Sequence, residues 1–113
     1  MLVTMQVQEL MKKIQDLEGV LFISKEGKLL DYDISDRFLK EHDFKTTKHL
    51  TNLVGLRFRI NDFAELFGGL EMTINRFKNK IMVSKSLKDD RIMVLILPLK
   101  VDLEEINQIL QYY

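Results

Sequence analysis

The stretch from Thr47 to Phe67 most constrains what this chain can fold into. It reads as one long helix with more apolar surface than a single packing contact uses. With Leu50 at zero and ~100° per residue, Leu53, Val54, Leu56, Phe58, Ile60, Phe63, Ala64 and Phe67 spread over an arc of roughly 220°. A surface helix of a globular domain needs a stripe of only about 100° or somewhat more. The excess predicts burial on two sides. One side can be the chain's own sheet. The other is either the deep interior of the same small domain or a second subunit. A chain of 113 residues has few layers in which to sink a helix, which favours the second subunit. Arg57 and Asn61 sit inside the apolar arc, where an unpaired charge would be costly. They are either a stem packed along the surface with its head in water or part of an interface.

The remaining chain falls into recognisable segments. Val3, Val7, Leu10, Met11, Ile14 and Leu17 recur at helical spacing and predict an amphipathic helix ending at Glu18-Gly19, with Gly19 as a left-handed cap. Val20 to Ser24 and Leu29 to Tyr32 read as strands joined by the Lys25-Glu26-Gly27-Lys28 turn, the second more polar and nearer an edge. No conformation is assigned to Asp33–Thr46 beyond a short helix that Ser35 could cap. After Gly68-Gly69 stops the long helix, Leu70, Met72 and Ile74 alternate with Glu71, Thr73 and Asn75 as in a half-buried strand. Ile81 to Ser84 is the next strand. Ile92-Met93-Val94-Leu95-Ile96-Leu97 is an apolar run suited to a central strand covered on both faces, and Pro98 closes it. Asp102, with Glu105 three residues on, opens a last helix with Leu103, Ile106, Ile109, Leu110 and Tyr113 as its apolar stripe. The order α-β-β-α-β-β-β-α, without repeat or linker, predicts a single α+β domain over residues 1–113 with a five-stranded, mainly antiparallel sheet.

Composition narrows function more by exclusion than by indication. The chain has no cysteine, which removes disulfides, thiolate metal sites and cysteine catalysis. Lysine plus arginine equals aspartate plus glutamate at 17 each, so no basic excess points to nucleic acid or to an anionic membrane. The first residues lack the charged and apolar regions of a signal peptide, and Ile92 to Leu97 is too short to span a bilayer. A soluble cytoplasmic protein without membrane insertion is the expectation. His42 and His49 are the only histidines and have no third ligand at useful spacing, so no metal or acid-base site is expected. Gly68-Gly69 follows a helix instead of leading into one, the wrong way round for a phosphate cradle. Lys88-Asp89-Asp90-Arg91 reads as a solvated hairpin end. No catalytic residue and no cofactor are expected.

One stretch carries a family likeness. Leu17-Glu18-Gly19-Val20-Leu21-Phe22-Ile23-Ser24-Lys25-Glu26-Gly27-Lys28 resembles the helix end, strand and acidic-glycine turn of the roadblock family. That family is named for a dynein light chain and includes bacterial partners of Ras-like GTPases. The glycine-ended long helix leading to three strands, with Asp89-Asp90-Arg91 before the last, is a second match. The resemblance spans roughly Val7 to Tyr112. Profilin-like and longin-like domains share much of the architecture. The resemblance implies a sheet with the long helix on one face and the terminal helices on the other, and a homodimer through the long helix and third strand. It also implies a small Ras-like GTPase as partner, regulated or scaffolded without catalysis. The segment Asp33–Thr46 is longer than the family pattern. Candidate interface residues are Leu50, Leu53, Val54, Arg57, Phe58, Asn61, Leu70, Met72 and Ile74. The alternative is a small-molecule-sensing domain, its pocket lined by Phe22, Phe38 and Phe44.

Overall fold

The computed structural model describes residues 3–26, 28–34 and 67–113. Helix α1 spans Val3–Lys13, strand β1 Gly19–Ile23, strand β2 Leu29–Ile34, strand β3 Met72–Arg76, strand β4 Lys80–Ser86, strand β5 Ile92–Pro98 and helix α2 Leu103–Leu110. The strands form one antiparallel sheet in the order β2-β1-β5-β4-β3. The protein is thus α+β, with the apolar run of β5 at the centre as its composition predicts. Residues 92 to 97 are all buried, because neighbouring strands take the main chain and both faces are covered.

Side chains alternate across the sheet and divide the core in two. On the first face, Val20, Phe22, Ile81, Val83, Met93, Leu95 and Leu97 pack with Val7, Leu10, Ile14 and Leu17 from the N-terminal segment and Ile106 and Leu110 from α2. Both terminal helices therefore lie on one side. On the second face, Leu21, Ile23, Met82, Ile92, Val94 and Ile96 form a separate buried cluster, with Leu29 at its margin. Each fully buried aliphatic side chain contributes about 1.5–3 kcal/mol by leaving water. The expected long helix over Thr47 to Phe67 lies outside the described residues except for Phe67, which has helical backbone. Gly68 follows it at φ 81°, the left-handed conformation that stops a helix and that a side chain resists.

Several boundaries differ from the sequence reading for local reasons. Helix α1 stops at Lys13, and the apolar stripe continues through a turn in which Leu17 N–H donates to the Ile14 carbonyl (3.1 Å). Gly19 is not a left-handed cap but the first residue of β1. There its missing side chain matters for space, since a Cβ would stand 3.2 Å from Ile96 Cδ1. Asp33 and Ile34 complete β2, whereas the rest of the unassigned segment, 35–46, lies outside the described residues. Leu70 precedes β3 and is not part of it. Asp102 caps α2 as predicted, accepting from the N–H groups of Glu104 (3.0 Å) and Glu105 (3.3 Å). At the other end of α2 the Lys85 ammonium donates to the Leu110 carbonyl, placing a cation where the helix dipole is negative.

Candidate interface at the sheet edge

The outward main chain of β3 is fixed by its pairing with β4. Ser86 N–H donates to the Glu71 carbonyl and Phe77 N–H to the Lys80 carbonyl, both at 2.8 Å. In an antiparallel ladder the residues that exchange bonds with one neighbour alternate with those that face away. Thr73 and Asn75 therefore turn their peptide groups toward β4. Met72, Ile74 and Arg76 turn theirs toward the open edge, where no strand pairs with them among the described residues.

Side chains follow the opposite logic. Met72, Ile74 and Arg76 stand on the first face, opposite Lys85, Val83 and Ile81 of β4. Met72 packs against the core margin, while Ile74 remains 49% exposed. Thr73 and Asn75 stand on the second face, beside Ser84 and Met82. Phe67 and Phe77, before and after the strand, are 78% and 53% exposed. An open edge bordered by exposed isoleucine and phenylalanine is a template for a further strand.

This arrangement has counterparts among solved structures. A Roadblock/LC7 domain from Streptomyces avermitilis matches 87% of this chain and 79% of its own length at TM-score 0.68 and 9% identity. This is the roadblock fold. An MglB with tetrameric arrangement matches at TM-score 0.74 and 14% identity over 93% of this chain and 76% of its own. MglC from Myxococcus xanthus matches at TM-score 0.64 and 9% identity over 96% and 90%. No protein-family model matches the chain, and no curated protein matches it by sequence.

Within the roadblock fold the nine predicted interface residues separate. Met72 and Ile74 lie together on β3, and Leu70 is half-buried in the connection before it. Leu50, Leu53, Val54, Arg57, Phe58 and Asn61 lie outside the described residues. The same sheet edge also carries Thr73, Asn75, Phe67 and Phe77, which the sequence reading did not include among its candidates. Alternation alone could have marked Thr73 and Asn75 as the second side of an edge strand.

The rest of the described surface offers little chemistry. No group of three metal-ligating side chains occurs among the described residues. No described helix is long and apolar enough to cross a membrane. Phe22 is fully buried in the cluster beneath α1, with the Arg91 guanidinium 5.2 Å above its ring. Phe38 and Phe44 lie outside the described residues. Arg91 is held by Asp89 Oδ2 (2.6 Å) and Gln6 Oε1 (2.9 Å), so the charged turn organises itself. Between α1 and the C-terminal residues, the Lys13 ammonium pairs with Glu9 (2.7 Å), which holds the Glu9 carboxyl below its ordinary range and raises Lys13. Burial raises the Tyr113 hydroxyl. These shifts reflect an exposed i,i+4 pair and a packed phenol, not a reactive group.

Proposed function

We propose that this chain is a single, non-catalytic domain that forms a homodimer and regulates or scaffolds a small Ras-like GTPase in the cytoplasm. The observation that carries the reading is the β3 edge, unpaired among the described residues and flanked by exposed Ile74, Phe77 and Phe67, on a roadblock fold. The likeness of Leu17–Lys28 to the family that includes partners of Ras-like GTPases supports the choice of partner. A second subunit is also what the two-sided apolar pattern of Thr47–Phe67 predicts from sequence. Regulation would follow from binding one GTPase conformation better than the other, since only differential affinity shifts an equilibrium.

The test has two stages. Light scattering over a dilution series should give a mass near twice the 13.4 kDa chain. A monomer at every concentration sinks the homodimer. Small GTPases are then screened for binding in both nucleotide states, and equal or absent binding in both removes the regulatory role. Phe58→Asp or Arg57→Glu should produce monomers or abolish GTPase binding, and native behaviour of both variants would remove the long segment from the interface.

A further inference from the structure

We infer that two copies pair their β3 strands antiparallel in one specific register, centred on Ile74, with the partner's Asn75 set beside Thr73 and the partner's Thr73 beside Asn75. This rests on the homodimer proposed above and specifies its seam.

The main chain selects the register. A two-fold axis between antiparallel strands sets one residue opposite its own copy. Only residues whose peptide groups face outward can bond across the seam, and within β3 these are Met72, Ile74 and Arg76. Centred on Ile74, Ile74 faces itself and Met72 faces the partner's Arg76 on both sides. Every outward-facing peptide group of the strand then has a partner. Centring on Thr73 would oppose Arg76 to the partner's Leu70, which lies before the strand. Centring on Asn75 would oppose Met72 to the partner's Lys78, which lies beyond it. Either shift takes a pair out of the strand and wastes its hydrogen bonds.

Side chains select the same register. Ile74, half exposed in the single chain, meets its own copy and removes apolar surface from water in both. A shift to Asn75 would put Ile74 opposite the partner's Arg76 instead. On the second face Thr73 and the partner's Asn75 form a non-hydrogen-bonded pair, the kind in which opposed Cα atoms come closest, about 4.5 Å. Asn75 is half-buried and its Oδ1 is enclosed without a hydrogen-bond partner among the described residues. The threonine hydroxyl both donates and accepts, so it serves whichever end of the amide turns to the seam. Symmetry makes this contact twice. The polar pair makes register costly to shift: a slip of the seam sets the amide against glutamate or its own copy.

The chain has no cysteine, so single-cysteine variants report the register directly. Ile74→Cys should form a disulfide-linked dimer under mild oxidation, because self-opposed Cα atoms about 5.5 Å apart suit the bond. Thr73→Cys and Asn75→Cys should each link poorly alone. A mixture of the two, after subunit exchange, should give a linked species that neither gives alone. Efficient self-linking of Thr73→Cys or of Asn75→Cys overturns the register in favour of a centre at that residue. If none links while light scattering still shows a dimer, the seam is elsewhere and this inference fails with self-association intact. If the parent chain is a monomer, the homodimer itself fails. Unchanged circular dichroism of each variant excludes misfolding. As a second readout on the unaltered chain, amide exchange at Met72, Ile74 and Arg76 should be at least tenfold slower in concentrated than in dilute protein. Exchange at Thr73 and Asn75, bonded to β4, should not depend on concentration. Equal behaviour of both sets overturns the proposal.

Discussion

At one edge of the sheet, β3 pairs with β4 in unbroken register, without a bulge. At the other edge, β2 pairs with β1 through a register shift opposite Phe22 and Ile23. There Asp31 turns its own carboxylate to the neighbouring main chain, Oδ1 accepting the Tyr32 N–H at 2.8 Å. Asp31 and Asp33 also place two negative charges along this edge. Exposed apolar side chains occur at both, Leu30 and Tyr32 on one and Ile74 on the other. Apolar exposure alone therefore does not distinguish them. What differs is the state of the main chain. A bulge, a side chain occupying an outward N–H and like charges all discourage a further strand, and none of these guards β3 among the described residues. The contrast favours β3 over β2 as the edge of the proposed dimer.

The largest effect should come from removing an outward donor at β3. Ile74→Pro deletes an N–H that points away from β4, so the fold should survive while association weakens. At about 1 kcal/mol for each hydrogen bond, and one lost from each copy, the dissociation constant should rise roughly 30-fold. Light scattering on dilution measures this. Leu30→Lys on β2 should leave the constant unchanged, and the reverse pattern would exchange the roles of the two edges.

Next in size is the opening of the guarded edge. Replacing Asp31 and Asp33 together by Thr removes both charges and the carboxylate that holds the Tyr32 N–H. Each end of the joined sheets would then be able to template another strand, and the mean mass should climb about twofold or more with concentration. A variant whose mass stays at that of the parent would show that the bulge alone suffices.

These edges also separate what is legible in the sequence from what is not. The apolar run Ile92 to Leu97 announces a central strand, because only two-sided burial tolerates such continuity. The capping of α2 and the stripe of α1 are likewise local patterns, and the structure contains both. The edge position of β3 is not local. It depends on β5 inserting between β1 and β4, a pairing that no short window encodes. The sequence reading also grouped Leu70, Met72 and Ile74 as one interface stripe. It placed Met72 and Ile74 on a strand, which the structure contains, but did not include Thr73 and Asn75 on that strand's second side. The Asp31 guard needs knowledge of which N–H groups point outward. Gly19 was misread because a glycine after a helix more often caps it than makes room for Ile96.

A smaller effect tests the ground beneath the open edge. Ser84, opposite Thr73 on β4, is fully buried and its hydroxyl has no hydrogen-bond partner among the described residues. Leaving such a group unsatisfied costs about 1–3 kcal/mol. Ser84→Ala should therefore raise the free energy of unfolding by about 1 kcal/mol in urea titration and leave self-association unchanged. Lower stability would mean that an ordered water or another group satisfies the hydroxyl.

The smallest expected effect isolates what guards β2. Asp31→Asn removes a charge but keeps a side-chain oxygen able to accept the Tyr32 N–H. Asp33 retains its charge, and the register shift in β1–β2 is untouched. If protection rests on geometry, this variant should keep the parent's mass at every concentration and its unfolding free energy within about 0.5 kcal/mol. If protection rests on charge, it should show part of the growth seen in the double threonine variant, and more of it at low salt once screening is reduced. The geometric outcome is expected, because an occupied N–H is lost to an incoming strand whatever the charge of the group that occupies it. A salt-dependent increase in mass would shift the distinction between the edges from hydrogen bonding to electrostatics. Mutating Asp33 alone would then produce the same growth, although its side chain caps no main-chain N–H among the described hydrogen bonds.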